Sequence, residues 1–522
     1  MKKIGIITIF VSLLLTSCEK MSLDLAPEDY FASGSFWKNE SQVQGAMIGL
    51  HAQLRGQQNV FWNLGELRGG TLRDGTSFTG TASLNSASLI TQDIRESAPG
   101  YSSWAGLYAP IFQVNNFIYQ VEQANYLTAA QKGYYLGQAY GIRAFYYFYL
   151  FRTFGRVPLV TEPKTAISTP TSAEEAYAPR STTEKATLDQ IKADLDKSIG
   201  NFADDYSVRT QKGQWSLGAS QMLKTEVYLW SAKVNMDGNA PVNTAQDLQT
   251  ARAAVEAVIP KFSLVSNYKS VFTSASVPAS RGNSEIIFAL RYQAGEATNF
   301  FNNFLYAQSD DISGYVDENG TPIPGDPLQV AASGSIIRYE YKVAMYNLYD
   351  KEDQRANATF LNFNKGTVSA VVMRKFLGTL VEGIRNYSDD YPVYRLADAY
   401  LLLAEIKNKQ GQDPTAEIMA VRNRAYEGSA PQFVNGNFEA NELAIFYERT
   451  KEFVSEGKRW FDLRRMQDGS GLPLVFRTDL PLVGVLQNTA GQNHKVLWPI
   501  DLNTMSSDPT LTGDQNPGYS GT

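Results

Sequence analysis

Apolar residues recur at helical spacing through most of this chain, and one long stretch without that period divides it. Gln42, Ala46, Met47, Leu50 and Leu54 follow one another at mixed i+3 and i+4 steps, which predicts an early helix. Ile111, Val114, Phe117, Ile118 and Val121 line one face of another, with Pro110 read as its first helical residue. Residues 131–154 are so aromatic that a helix there must be covered on both sides. Gly155 stands as its C′ residue, and Val157-Pro158-Leu159 reads as an extended exit. Ser181-Thr182-Thr183-Glu184 reads as a capping box opening a helix to about Ile199. Residues 217–234 and 244–259 form a further pair, ended by Pro260.

From Phe262 to about Met373 the texture changes to Gly, Asn, Ser and aromatics, with strand candidates at 285–291 and 370–376. Helical period resumes at Tyr391, with Leu396, Ala399, Leu403 and Ile406 on one side. Asp413-Pro414 supplies an N-cap and an N1 proline for a helix to Tyr426. Ala397, Ala399, Ala404 and Ala420 stand where helices would meet, which suggests TPR-like pairs, dispersed rather than tandem. The expected fold is mostly α. A TPR-like scaffold of helical pairs, over about 36–260 and 391–470, flanks a loop-rich lobe with short strands at about 262–390.

Residues 448–465, ERTKEFVSEGKRWFDLRR, combine this period with dense charge. Phe446, Phe453 and Trp460 recur every seven residues beside Leu443 and Phe461, which predicts one apolar stripe on one helix. Glu448, Glu452 and Glu456 form an i,i+4 acidic row, with Lys451 and Arg459 within i+3 reach. Such a row is either a solvated face or, because like charges repel, a set that needs arginine partners from elsewhere in the fold.

Composition narrows the function. A hydrophobic share of 43% provides for a large core, and the formal net charge of −6 argues against nucleic-acid binding. Lys2 and Lys3, the apolar run from Ile4 to Leu15 and Leu15-Thr16-Ser17-Cys18 read as a lipoprotein leader, residues 1–17, ending in a lipobox. The run is too short to span a bilayer. Lipidation of Cys18, the single cysteine, leaves no thiol for disulfides, catalysis or metal ligation. Residues 23–30 read as an extended arm leading from that anchor. His51 and His494 are the only histidines and lie far apart in sequence, so no His-based metal site or Ser-His-Asp triad is expected, and no cofactor.

The order E-R-x-x-E-F-x-x-E-G-x-R-W-F-D-L-R-R resembles the C-terminal signature of the SusD/RagB family, surface-exposed nutrient-binding lipoproteins of the Bacteroidetes outer membrane. GIRAFYYFYLFRTFGRVPLV, YRLADAYLLLAE and the terminal Asn516-Pro517-Gly518-Tyr519 resemble it too, so the likeness covers essentially the whole chain as a single SusD-like unit from residue 18. It implies a TPR-like scaffold under an irregular lobe, and a ligand site made of loops rather than of the signature itself. Trp460, Phe461, Asp462, Arg464, Pro517 and Tyr519 are then structural. Arg143 and Arg152 are expected to pair with buried acids, and Trp104 to belong to the core.

Two loop regions are candidates for the ligand. In residues 66–101, Glu66-Leu67-Arg68 followed by Arg73-Asp74 resembles the family segment leading into the binding loop, with Arg73 and Asp74 placed to bond sugar hydroxyls. The alternative is a loop packed at a partner interface. In residues 291–346, Tyr292, Phe300, Phe301, Phe304, Tyr306 and Tyr315 alternate with Asn299, Asn302, Asn303, Asp310 and Asp311. Rings that stack on pyranose faces and amides that take hydroxyls make a carbohydrate platform. The same mixture also describes an aromatic core beneath a loop. Asp310, Asp311, Asp317 and Glu318 offer a calcium alternative without a complete ligand-loop pattern.

The likeness implies a non-catalytic glycan receptor at the cell surface that feeds a SusC-like TonB-dependent barrel. The other readings are the same role with peptide ligands, a glycoside hydrolase for which no motif speaks, and a TPR-like scaffold without a nutrient ligand.

Overall fold

Helical pairs flank a strand-bearing stretch, as the change of period predicts. The computed structural model describes residues 36–101, 104–172, 177–209, 212–272 and 282–520. The leader, Cys18 and the arm at 23–30 lie outside the described residues. α1 (Glu40–Gly56) and α2 (Gln58–Glu66) precede α3 (Ala105–Gln123) and α4 (Ala129–Phe154). α4 packs along α5 (Glu184–Phe202), and α6 (Leu217–Lys233) along α7 (Thr244–Val258). α8 (Leu396–Lys409) packs against both α9 (Thr415–Ala425) and α10 (Phe438–Glu452), while α11 (Arg459–Arg465) lies against α2. This is the expected mostly α, TPR-like scaffold. No described helix is long and apolar enough to cross a membrane.

Several boundaries differ from the expectation, each for a local reason. α3 begins five residues before Pro110, which sits inside it as a helical residue rather than opening it. α4 starts at Ala129 because Thr128 and Gln131 form a capping box that the sequence reading passed over. At α5 the cap is Thr183, which accepts from Ala186 N. The Glu184 carboxylate turns away to accept from Asp237 N, so the expected Ser181–Glu184 box does not form. Thr415 opens α9, with Asp413 accepting from Thr415 N, and Pro414 stands just outside. Residues 391–395 are a strand, and the helix begins at Leu396.

Among the described residues the strands are β1 (Leu72–Arg73), β2 (Ile286–Leu290), β3 (Glu340–Tyr341), β4 (Phe360–Lys365), β5 (Val368–Met373), β6 (Thr379–Val381), β7 (Ile384–Asn386) and β8 (Tyr391–Arg395). They make a sheet ordered β1-β3-β5-β4 and two antiparallel pairs, β2 with β8 and β6 with β7. β1 lies far upstream of its sheet in sequence, so the two candidate loop regions meet in one lobe. That lobe has its own apolar cluster, with Phe78, Leu84, Tyr306, Tyr315, Phe363 and Val372 among its members.

Residues 448–465 form two helices, not one. α10 ends at Glu452, Phe453 is its C-cap, and Ser455 and Gly457 take positive φ of 63° and 70° before α11 begins. The turn presses on α2 so closely that a Cβ on Gly65 would lie 1.7 Å from the Gly457 carbonyl oxygen. Its orphan carbonyls are taken by buried donors. Arg395 Nη2 donates to Glu452 O at 2.7 Å, and Lys375 Nζ to Val454 O at 2.8 Å.

The acidic row is buried, and its partners come from elsewhere in the fold. Glu452 accepts from Arg355 at 2.9 Å, from Arg395 at 2.6 Å and from Arg424. Glu456 accepts from Arg395 and Lys375, and Glu448 from Arg422. Arg459 pairs with none of the row. It donates instead to Gly69 O, Thr450 Oγ1 and Leu482 O. Arg143 meets Asp194 with both ends of its fork, at 2.8 and 2.6 Å, as expected of it. Among the described residues Arg152 pairs with no acid. Its guanidinium lies 4.0, 4.8 and 3.7 Å from the ring centroids of Phe148, Tyr149 and Phe461.

Candidate functional site

β1 and β3 place Arg73 opposite Glu340, and the geometry of the first loop follows from that pairing. Arg73 Nε and Nη2 reach the two Glu340 oxygens at 2.6 and 3.0 Å, and Nη2 also donates to Thr76 O at 2.7 Å. Burial pushes the Glu340 carboxyl up, against the opposing pull of Arg73 and the Phe78 amide. Arg73 is thereby committed to holding the loop. Asp74 next to it is exposed at the rim, with Gly75 and Thr76. Beyond them Thr79, Thr81 and Asp310 form a hydroxyl chain, with Thr81 donating to Asp310 at 2.6 Å.

The aromatic residues of the second region point inward. Tyr306 is 2% exposed, donates to Asp326 at 2.7 Å and accepts from Leu328 N at 3.0 Å. Tyr315 is buried against Phe78 and Phe363 and donates to Phe78 O. Tyr292 lies in the main core, where its hydroxyl donates to Gln58 Oε1 at 2.9 Å. Asn303 is half-buried and donates to Phe300 O at 2.8 Å, while its own carbonyl takes the Arg338 and Tyr339 amides. The lobe therefore brings Arg73, Asp74, Asn303, Tyr306 and Tyr315 together but leaves Tyr292 with the scaffold. The three tyrosines present no open ring face, which corrects the expected stacking platform. Burial dominates because β1, β3, β4 and β5 need an apolar layer beneath them.

The acids of the calcium alternative serve the loop itself. Asp310 accepts from Ala307 N, and Asp317 from Asn319 N and Thr321 N. Among the described residues no group of three His, Cys, Asp or Glu is placed to hold a metal. His51 bridges backbone, donating from Nδ1 to Met47 O and accepting from Trp215 N at Nε2. Burial pushes its pKa down to about 4, so it stays neutral.

The sequence reading missed a cleft at the far end of the first loop region. Trp104, Tyr108, Phe112 and Tyr177 line a cleft of about 600 Å³ together with Asn503, Thr504 and Ser507. Trp104 is buried, as expected, but it also contributes to this wall. Tyr108 is fixed by donating to Pro158 O and by edge contacts to Trp104 and Tyr147. Tyr177 is 41% exposed, so its ring is open to a ligand. The family resemblance placed Trp104 in the core, and nothing in the sequence brings residues 177 and 503 beside it.

A family model described as the SusD family matches residues 284–519, and one described as "Starch-binding associating with outer membrane" matches residues 29–222. A solved SusD superfamily structure from Bacteroides fragilis NCTC 9343 is 35% identical, with a TM-score of 0.84, over 93% of this chain and 100% of that one. The SusD-like protein P38 of Formosa agariphila is 26% identical over 98% of both chains. The starch-binding protein SusD of Bacteroides thetaiotaomicron is 31% identical over 139 residues, 26% of this chain and 22% of that one. The chain belongs to the SusD/RagB family.

Proposed function

We propose that this chain is a non-catalytic, lipid-anchored glycan-binding protein of the outer-membrane surface. It captures an oligosaccharide and passes it to a SusC-like TonB-dependent barrel. The cleft lined by Trp104, Tyr108, Phe112 and Tyr177 with Asn503, Thr504 and Ser507 carries the binding half of this reading. Open rings take the apolar face of a pyranose while amide and hydroxyl groups take its edge. The starch-binding descriptions of the family model and of a relative support a glycan as ligand. Delivery to the barrel rests on family membership, and anchoring rests on the lipobox at Cys18. Asp74 at the loop rim is a second sugar contact. Arg73, Asn303, Tyr306 and Tyr315 act in this reading by holding the loops in place, and Tyr292 by packing in the scaffold core.

Calorimetry against maltooligosaccharides, laminari-oligosaccharides and mixed peptides tests this. A saccharide is expected to bind, and Tyr177→Ala to weaken it roughly three- to tenfold through the lost ring face, with the melting temperature unchanged. Asp74→Ala is expected to weaken it less. Heat from peptides alone would replace the glycan with a peptide ligand, and release of shorter sugars would contradict a binder without catalysis.

A further inference from the structure

Two consecutive arginines of α11 have opposite surroundings. Arg465 sends Nε and Nη2 to the two oxygens of Glu405 at 3.0 and 2.8 Å and meets Asp462 at 2.7 Å. Arg464 is buried as well, yet no carboxylate of the described residues pairs with it. Its Nη1 donates to the Arg152 carbonyl, and its guanidinium lies beside the rings of Trp230 and Trp460, at 5.1 and 6.0 Å. The nearest acid field is that of Glu184, whose carboxylate is already engaged by the Asp237 amide. A buried cation without a counterion is costly, and the fold supplies anions generously to the neighbouring residue.

Arg464 also lines a cavity of about 450 Å³, between α6, α11 and the segment 471–497. The walls combine Trp230 and Phe476 with Asn235, Gln467, Asn488, Asn493 and His494. A further polar atom on the wall, Trp230 Nε1, is buried without a hydrogen-bond partner. The cavity thus gathers a guanidinium fork, neutral amides, an indole N–H and aromatic faces, and its one acid is Glu184.

We propose that this cavity is a second ligand site, which takes an oxyanion, carboxylate or sulfate, carried on a small polar molecule. The guanidinium fork matches two oxygens of either group in one plane, and the charge it gains on binding replaces the counterion the protein withholds. The amides and Glu184 take hydroxyls of the carrier. The site shares no lining residue with the Trp104 cleft and does not depend on the glycan reading.

Calorimetry on the intact protein with D-glucuronate, inorganic sulfate and D-glucose decides it. Glucuronate, sulfate or both are expected to bind, and the pattern between them identifies the oxyanion. Arg464→Gln is expected to reduce that affinity at least about tenfold, whereas Tyr177→Ala in the other cleft leaves it unchanged. Asn493 is exposed, so Asn493→Asp keeps the fold while placing a competing carboxylate at the cavity wall, and it too should weaken the anion. It decides the matter should Arg464→Gln fail to fold. Absence of binding by both anions, or undiminished binding in Asn493→Asp and in folded Arg464→Gln, overturns the proposal.

Discussion

The turn between α10 and α11 and the core of the loop lobe solve the same problem with opposite chemistry. Each must hold irregular backbone in place without a long helix or strand. At the turn, five carboxylates (Glu285, Asp353, Glu448, Glu452 and Glu456) meet five cations (Arg355, Lys375, Arg395, Arg422 and Arg424), and all but Arg422 are buried. In the lobe the bonds beneath the sheet are fewer and centre on tyrosine hydroxyls, with Tyr306, Tyr315 and Phe363 packed edge to face. A balanced ionic network locks one geometry, because each charge is costly unless every partner is present. An aromatic core tolerates change in the surface loops around it.

Removing one member of the network should have the largest effect. Arg395 bonds Glu285, Glu452 and Glu456 and also holds the end of α10 through Glu452 O. Arg395→Ala leaves three buried carboxylates short of a partner, and urea unfolding should show a loss of about 3–5 kcal/mol. A loss below about 1 kcal/mol would mean that the network is no more than the sum of dispensable pairs.

Acid should separate the two regions next. Burial pushes the Glu448, Glu452 and Glu456 carboxyls up, but the surrounding arginines and Lys375 outweigh it and hold all three below the ordinary value of 4.5. A carboxyl with a folded pKa below its unfolded one stabilises the fold above about pH 5, and that contribution is lost as pH falls toward the folded value. Glu66, which accepts from Ser455 N at the turn, has the opposite sign. Burial pushes it up to about 7, so its contribution is present below 4.5 and is lost as pH rises through 7. Hydrogen exchange from pH 3 to 8 should show the amides of 453–458 losing protection toward both ends of that range. The amides of β4 and β5 should respond less. Equal responses would show that the two regions open as one unit.

The scaffold was legible because helical period reports burial on one face, and the lobe announced itself where the period stopped. The same logic failed at Phe453. A seven-residue recurrence cannot register that Ser455 and Gly457 take positive φ, nor that Tyr268, Lys375 and Arg395 wait to receive the carbonyls. The need of the acidic row for outside arginines was readable from repulsion, but their identities were not, since Arg355, Arg395 and Arg424 come from other parts of the chain. For the site, Asp74 lies exposed at the loop rim. Alternation of tyrosines with asparagines, however, does not say which side of a loop faces water. The Trp104 cleft depends on residues 104, 177 and 503 converging, which no local pattern encodes.

The smallest effect concerns that last ambiguity. Tyr306→Phe keeps the ring and its packing against Phe363 but removes a hydroxyl that bridges Asp326 and Leu328 N. Asp326 retains the amides of Val330 and Ala331, so its charge stays solvated by the chain. The buried Leu328 amide loses its acceptor, and that omission sets the cost at about 1–2 kcal/mol. Thermal unfolding should register the loss, while calorimetry should show saccharide affinity within about twofold of the parent. The combination tests the contrast between the regions, because one neutral hydroxyl in the lobe should then matter less than one charge at the turn. Unchanged stability with weakened sugar binding would instead place the Tyr306 hydroxyl against the ligand and return the tyrosines to the binding surface.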